Sequence, residues 1–195
     1  MQINTSKKMN EENISASKTE KSFLRKYIKL FSRNPSSSDE VADMLRSAEN
    51  ESIIDADALQ IMEGALKVSD LQAREIMIPK SQMKLIESDF SLEEVLDVVT
   101  QSQHSRFPVV GESSDDVLGI LLAKELIPLI LDGKESFDLK NMLRPANIIP
   151  ESKRISILLK EFREQRYHMA IVVDEYAGVS GLLTIEDVLE EIVGE

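Results

Sequence analysis

A threonine and an aspartate three positions apart, Thr184 and Asp187 in the string G-L-L-T-I-E-D-V-L, carry the sharpest chemical signal in the chain. Their spacing is that of an N-cap box, in which a hydroxyl and a carboxylate satisfy the first N–H groups of a helix and need no ligand. The same spacing also suits a binding site. Open N–H groups at a helix start favour phosphate, and a carboxylate accepts two charge-assisted hydrogen bonds from a vicinal diol. Glu186, Glu190 and Glu191 surround Asp187. A solvated helix face accounts for them better than a magnesium site does.

Most other chemistry is excluded. The chain has no cysteine, which removes disulfides, thiolate catalysis and cysteine-ligated zinc and suits a reducing cytoplasm. Two histidines, His104 and His168, leave little room for a metal site or triad. His168 fits a hydrogen-bonded wall residue better than a metal ligand. There is no pair of carboxylates beside an activated nucleophile and no G-x-x-x-x-G-K-[ST] string, so no enzyme is expected. A net charge of −12 argues against nucleic acid as a partner. No apolar run reaches the roughly 18–20 residues that cross a bilayer, and no signal-peptide core is visible. The expectation is a soluble, cytoplasmic protein.

The elements that must position Thr184 and Asp187 belong to a repeat. Residues 106–126 line up with residues 169–189, and Gly119 answers Gly181, Leu122 answers Thr184 and Glu125 answers Asp187, each 62 residues on. A period this long suits tandem small domains rather than a solenoid. In copy one Leu92, Val95, Leu96 and Val99 predict a helix, capped by Ser91 with Glu94; Ile155, Leu158, Leu159 and Phe162 repeat the spacing in copy two. Short strands precede these helices at 83–86 and 148–149, behind Met-containing segments at 76–79 and 142–145. Paired strands follow at 107–110 with 117–121, and at 170–173 with 179–183. A second helix closes each copy, from about Ala123 and from Thr184. The order is β-α-β-β-α, twice.

Ahead of the repeat, helices are expected from the capping box Ser37/Glu40, after Asp55, and from Ser69 with Gln72. Residues 1–20 carry almost no large apolar side chains and are expected to be disordered. Residues 21–33 form a basic amphipathic pattern that suits either an anionic membrane surface or an apolar patch of the same protein.

The strings R-E-I-M-I-P-K-S-Q-M, H-S-R-F-P-V-V, M-A-I-V-V-D-E-Y-A-G-V-S-G-L-L-T-I-E-D-V-L-E-E-I-V-G-E and the upstream M-E-G-A-L resemble the CorC group of tandem CBS-domain proteins, associated with magnesium and cobalt efflux. The resemblance implies an α+β fold of two β-α-β-β-α units packed as a pair. It divides the chain into an N-terminal segment (1–36), a helical lead-in (37–72), a first CBS domain (73–133) and a second (138–195). Relatives usually continue past E-I-V-G-E, so the chain resembles a truncated member of the soluble branch.

CBS pairs bind adenosine nucleotides in two clefts, which implies AMP or ATP as ligand, with any Mg²⁺ arriving on the phosphate oxygens. By resemblance Thr184 meets the phosphate and Asp187 the ribose. The adenine lies against apolar strand edges, a role given to Ile149, Ala170, Met77 and Pro79. Tyr167, His168 and Met169 border the pocket, the aromatic rings by stacking. Arg106 is the first choice of cation for the phosphate, followed by Lys80, Arg144 and Arg166. Copy one has Leu122 and Glu125 in place of the Thr and Asp, so one competent site is expected. The implied function is a regulatory module that couples nucleotide to cation export. It is expected as a homodimer acting with a membrane transporter partner or at the inner face of the membrane. The alternative is a dimerisation scaffold without a physiological ligand.

Overall fold

The computed structural model describes residues 35–132 and 137–194, so the expectations for residues 1–20 and 21–33 lie outside it. The chain divides into two units, residues 1–47 and 48–195. Helix α1 (Ser38–Asn50) opens where its capping box predicts, with the Glu40 N–H donating to Ser37 Oγ at 3.2 Å.

In the second unit α2 (Ala56–Asp70) starts at Asp55, whose carboxylate accepts the Ala58 N–H at 2.7 Å. The helix expected to open at Ser69 does not open there. The Ser69 hydroxyl donates to the Leu66 carbonyl at 2.7 Å inside the last turn of α2, so it caps nothing. The one-turn helix α3 (Ala73–Ile76) opens instead at Gln72.

The repeat folds as two β-α-β-β-α units. Between α3 and copy one lies a two-residue strand, β1 (Ile78–Pro79). Copy one comprises β2 (Ile86–Glu87), α4 (Leu92–Ser102), β3 (Arg106–Val110), β4 (Val117–Leu122) and α5 (Ile127–Asp132). Copy two comprises β5 (Asn147–Pro150), α6 (Ile155–Gln165), β6 (Met169–Val173), β7 (Val179–Thr184) and α7 (Ile185–Val193). In both copies the first strand runs parallel to the second, and the last two form an antiparallel hairpin. The strand expected over 83–86 shrinks to Ile86 and Glu87. A 3₁₀ turn (Lys80–Gln82) precedes it, and Met83 turns into the apolar layer between the sheets.

The Met-containing leading segments do not extend their own copies. β1 pairs antiparallel with β7, setting Ile78 opposite Leu182 and Pro79 opposite Gly181, so it edges the sheet of copy two. The matching segment of copy two crosses the other way. Arg144 and Ile120 exchange both backbone hydrogen bonds, at 2.8 and 2.9 Å, against β4 of copy one. The repeat glycines lie under these crossings. A Cβ on Gly181 would collide with the Ile78 carbonyl, and one on Gly119 would lie 2.7 Å from the Arg144 carbonyl oxygen. The crossings close over a shared apolar layer of Met83, Ile120, Met169, Ile171, Val179 and Leu182. Each copy also keeps its own core beneath its helices, around Phe107 and Leu121 in copy one and around Phe162 and Leu183 in copy two.

Helix α2 is part of the copy-two core. Val68 is buried with Ile149, Leu158 and Val188. Gly64 sits against the backbone of α7, where a Cβ would strike the Ile192 carbonyl. Gln60 Nε2 donates to the Val193 carbonyl at 3.1 Å, and Lys67 pairs with Glu191 at 2.7 Å.

Replacing Gly181 with alanine drives a methyl group into backbone that cannot yield without breaking β1 from β7. The expected loss is about 1–3 kcal/mol in urea unfolding. Gly178→Ala meets only the Asp174 carboxylate, at 3.0 Å and beyond, and is expected to cost distinctly less. Equal losses at the two positions would contradict the crossing as the reason for Gly181.

Candidate functional site

Two clefts flank the line between the copies. The first, about 350 Å³, is lined by Thr184, Glu186 and Asp187 at the start of α7, by Gln103 to Ser105 ahead of β3 with Arg106 at its first position, and by Ile78, Leu182 and Met169. Thr184 and Asp187 form the cap box. Asp187 Oδ2 accepts from the Thr184 N–H and hydroxyl, both at 2.7 Å, and Thr184 Oγ1 accepts the Asp187 N–H at 3.2 Å. The Ile185 N–H is spent on the His168 carbonyl at 3.0 Å. The Glu186 N–H and Asp187 Oδ1 have no partner among the described residues. One donor and one carboxylate oxygen are therefore left at the helix start, where the dipole favours an anion. The cap spends the Thr184 hydroxyl hydrogen on Asp187 Oδ2 and leaves Oδ1 facing the cleft.

Arg106 lines this cleft from the opposite copy. Its Nη1 stands 3.8 Å from Glu186 Oε1, and His168 Nδ1 stands 3.6 Å from the same oxygen. At such distances these are loose pairs with the exposed Glu186, of little energetic weight, which leaves the half-buried guanidinium available to a ligand anion.

The second cleft, about 340 Å³, surrounds Leu122. Tyr167, His168 and Arg166 line it, with Arg106, Lys124 and Arg144. The segment before the inner strand of each copy thus lines the cleft of the other copy: Gln103 to Arg106 serve Thr184, and Arg166 to His168 serve Leu122. Tyr167 and His168 therefore border the second cleft rather than the Thr184 cleft. Arg106 and Met169 line both. Register explains the sharing, since Arg106 lies opposite Leu122 in one hairpin and Met169 opposite Thr184 in the other.

The remaining expected residues take structural positions. Ile149 and Ala170 are buried, at 2% and 0% exposure, in the copy-two core. Met77 packs half-buried against that core, and Pro79 is the β1 residue opposite Gly181. Lys80 is held by Asp115 at 2.7 Å, and Asp115 Oδ1 also accepts the Val179 N–H at 2.7 Å. The Lys80 ammonium, then the Val179 N–H, hold the Asp115 carboxyl below its ordinary value. Lys80 therefore ties the two copies together rather than serving an anion.

Arg144 is held too, with Nη2 2.6 Å and Nε 3.2 Å from Glu125 Oε1. Glu125 is the counterpart of Asp187. Leu122 makes no side-chain cap bond, and the chain there turns through a 3₁₀ segment (Ala123–Leu126) before α5. Copy one lacks both halves of the Thr/Asp box.

Gln82, Lys84, Gln103 and His104 also line the first cleft and were not singled out from sequence. Their signal lay in the repeat. Gln103 and Arg166 end the corresponding helices α4 and α6, and both are non-glycine residues in the left-handed region, at φ 59 and 58. Each turns the chain sharply toward the opposite cleft.

Two known families match the chain. The CBS domain matches residues 73–132 and 137–194, and the N-terminal region of NMB0537 matches residues 33–68. The chain is 47% identical over 189 residues to magnesium and cobalt efflux protein CorC of Vibrio cholerae, covering 96% of this chain and 65% of that protein. The chain thus spans just under two thirds of that relative's length. Among solved structures, a conserved domain of unknown function from Neisseria meningitidis is 48% identical with a TM-score of 0.74, covering 79% of this chain and 99% of that one. The CBS domain of the bacterial CNNM/CorC family Mg²⁺ transporter, in complex with ATP, is 40% identical with a TM-score of 0.63, covering 70% and 96%.

Tyr167 provides a measurable marker of the second cleft. Its ring meets Phe162 edge-on with centroids 4.9 Å apart, and its hydroxyl donates to Glu161 at 3.1 Å. Burial first, then the Glu161 hydrogen bond and charge, push its phenol up to about 12. The folded state holds this proton longer than the unfolded chain, so the contribution to stability is complete below pH ~10. It is lost as pH rises through about 12. Ultraviolet titration should show a late phenolate step that disappears in Tyr167→Phe. A step unchanged by that substitution would refute the assignment.

Proposed function

Since the chain belongs to the CBS-domain family, as a tandem pair of the CNNM/CorC kind, we propose that it is the nucleotide-sensing module of a magnesium and cobalt efflux protein. It binds AMP or Mg-ATP in the Thr184 cleft. One observation carries this reading: the start of α7 keeps an open N–H at Glu186 and an open Oδ1 on Asp187, with Arg106 facing them from the other copy. The N–H and the guanidinium suit a phosphate, and the carboxylate suits a ribose diol. The complex with ATP reported for the CNNM/CorC family transporter domain supports the choice of ligand class.

The module is regulatory rather than catalytic. Nucleotide favours one relative arrangement of the two copies, and the arrangement is what a membrane partner recognises. Its place is cytoplasmic, against the inner face of the membrane. Among the described residues no helix is long and apolar enough to cross a bilayer. The module holds one nucleotide, because in copy one Leu122 offers no hydroxyl and Glu125 is occupied by Arg144.

A second reading, a homodimerisation scaffold without a ligand, draws on α5, where Ile127, Ile130 and Leu131 are 54%, 58% and 79% exposed. Dimerisation is compatible with both readings. A ligand separates them.

Isothermal titration of AMP and ATP, with and without Mg²⁺, is expected to give one equivalent per chain for the wild type and none for Asp187→Ala. A thermal melt of the variant checks that it still folds. Nucleotide at 100 times its dissociation constant should stabilise the wild type by about 2.7 kcal/mol. Binding retained by Asp187→Ala removes the site assignment, two equal sites remove the one-site reading, and no stabilisation by AMP, ADP or ATP leaves the scaffold.

A further inference from the structure

The two crossings that join the copies are not equally fastened. At the first, β1 pairs with β7 over two residues, and a side-chain tie continues the contact. Lys80 Nζ lies 2.7 Å from Asp115 Oδ1, and the same oxygen accepts the Val179 N–H at 2.7 Å. Asp115 lies in the turn between β3 and β4 of copy one, Val179 opens β7 of copy two, and Lys80 follows β1. One carboxylate thus holds copy one to the sheet of copy two. At the second crossing Arg144 meets Ile120 in a single bridge.

The repeat shows what the second crossing lacks. Ile78 faces Leu182 as Arg144 faces Ile120, so Lys80 corresponds to Ala146. At the offset of the repeat Asp115 corresponds to Ala177. Both ends of the tie are alanines there, with neither charge nor side-chain acceptor. The strand starts differ in the same sense. Val179 is buried, whereas its counterpart Val117 is half-buried. Ser180 is half-buried and donates its hydroxyl to Glu151, whereas its counterpart Leu118 is exposed. A groove of about 510 Å³ lies over Leu118, Leu143 and Pro145, beside the second crossing. Apolar groups left in water add nothing to cohesion between the copies.

We infer that the two copies move relative to each other about the first crossing, that Asp115 is the latch restraining this motion, and that they part at the second crossing. Lys80 and Asp115 form a partly exposed pair, which is a weak fastening. That suits a latch, because it biases the pair toward one arrangement without locking it there. The two clefts feel the motion unequally. Ile78 and Leu182, at the first crossing, line the Thr184 cleft, which keeps its shape. Ile120 and Arg144, at the second, line the Leu122 cleft, whose walls separate.

The chain has no native cysteine, so nitroxide labels can be placed at will. One goes on α4 of copy one (Asp97→Cys) and one on α6 of copy two (Ser156→Cys), both exposed positions. Double electron–electron resonance on the ligand-free full chain then reads the spread of distances between the copies. Asp115→Asn keeps an oxygen for the Val179 N–H and removes the charge that Lys80 meets, and is expected to broaden the spread. The double variant Ala146→Lys/Ala177→Asp installs the missing tie at the second crossing and is expected to narrow it. Ala146 is half-buried like Lys80, and Ala177 has φ 65, a left-handed backbone that aspartate tolerates better than alanine. Circular dichroism melts confirm that each labelled variant is folded. A spread unchanged by Asp115→Asn overturns the latch, and one not narrowed by the installed tie overturns the second crossing as the place of parting. No nucleotide takes part, so either result is independent of what binds at Thr184.

Discussion

Everything in the paired unit rests on the reciprocal crossing of two backbone segments. Ile78 and Pro79 edge the sheet of copy two, while Arg144 bonds to the sheet of copy one. Each crossing needs a residue without a side chain beneath it, and Gly181 and Gly119 supply them. Because each crossing brings backbone hydrogen bonds as well as apolar contact, the two sheets share an apolar layer rather than merely touching. The clefts are a by-product of this geometry. They are the grooves left where the crossing strands, the inner hairpins and the helix starts fail to fill the space between the copies.

Charge is then sorted within that frame. The acidic excess of the chain makes every cation near a cleft informative, but the cations do different work. Lys80 bonds Asp115 and, through it, the β7 backbone, so it fastens copy to copy. Arg144 closes the carboxylate that would otherwise mirror Asp187. Arg106, held only at 3.8 Å by Glu186, faces the open end of α7. Two copies of one fold have diverged into a cleft with an open carboxylate oxygen at a helix start and a cleft lined by cations without an acid.

Much of this was legible in the sequence, for local reasons. The β-α-β-β-α order followed from hydrophobic period and capping boxes, both of which act within a few residues. The mismatch of Leu122 and Glu125 against Thr184 and Asp187 was visible on alignment, and a 3₁₀ turn without a side-chain cap stands there in copy one. The illegible parts are non-local. Nothing near Ile78 announces a partner at Leu182, and nothing near Lys80 announces Asp115. Tyr167 and His168 border their own copy's inner strand in sequence, yet the left-handed turn at Arg166 sends them to the opposite cleft. Ser69 shows the limit even of local signals, since a hydroxyl can satisfy itself on a preceding carbonyl and cap nothing.

Helix α7 begins at the cap box and is clamped to α2 along its length, through Val68 near Val188, Lys67 on Glu191, Gly64 under Ile192 and Gln60 on Val193. The contacts run in opposite order along the two helices, so the pair is antiparallel and its far end lies by Asp55. Tightly seated glycine contacts resist sliding, so the two helices move as one rigid strut. Over its nine residues α7 runs about 13 Å from Thr184 to the contact of Val193 with Gln60. The strut joins the helix start at the cleft to the N-terminal end of α2.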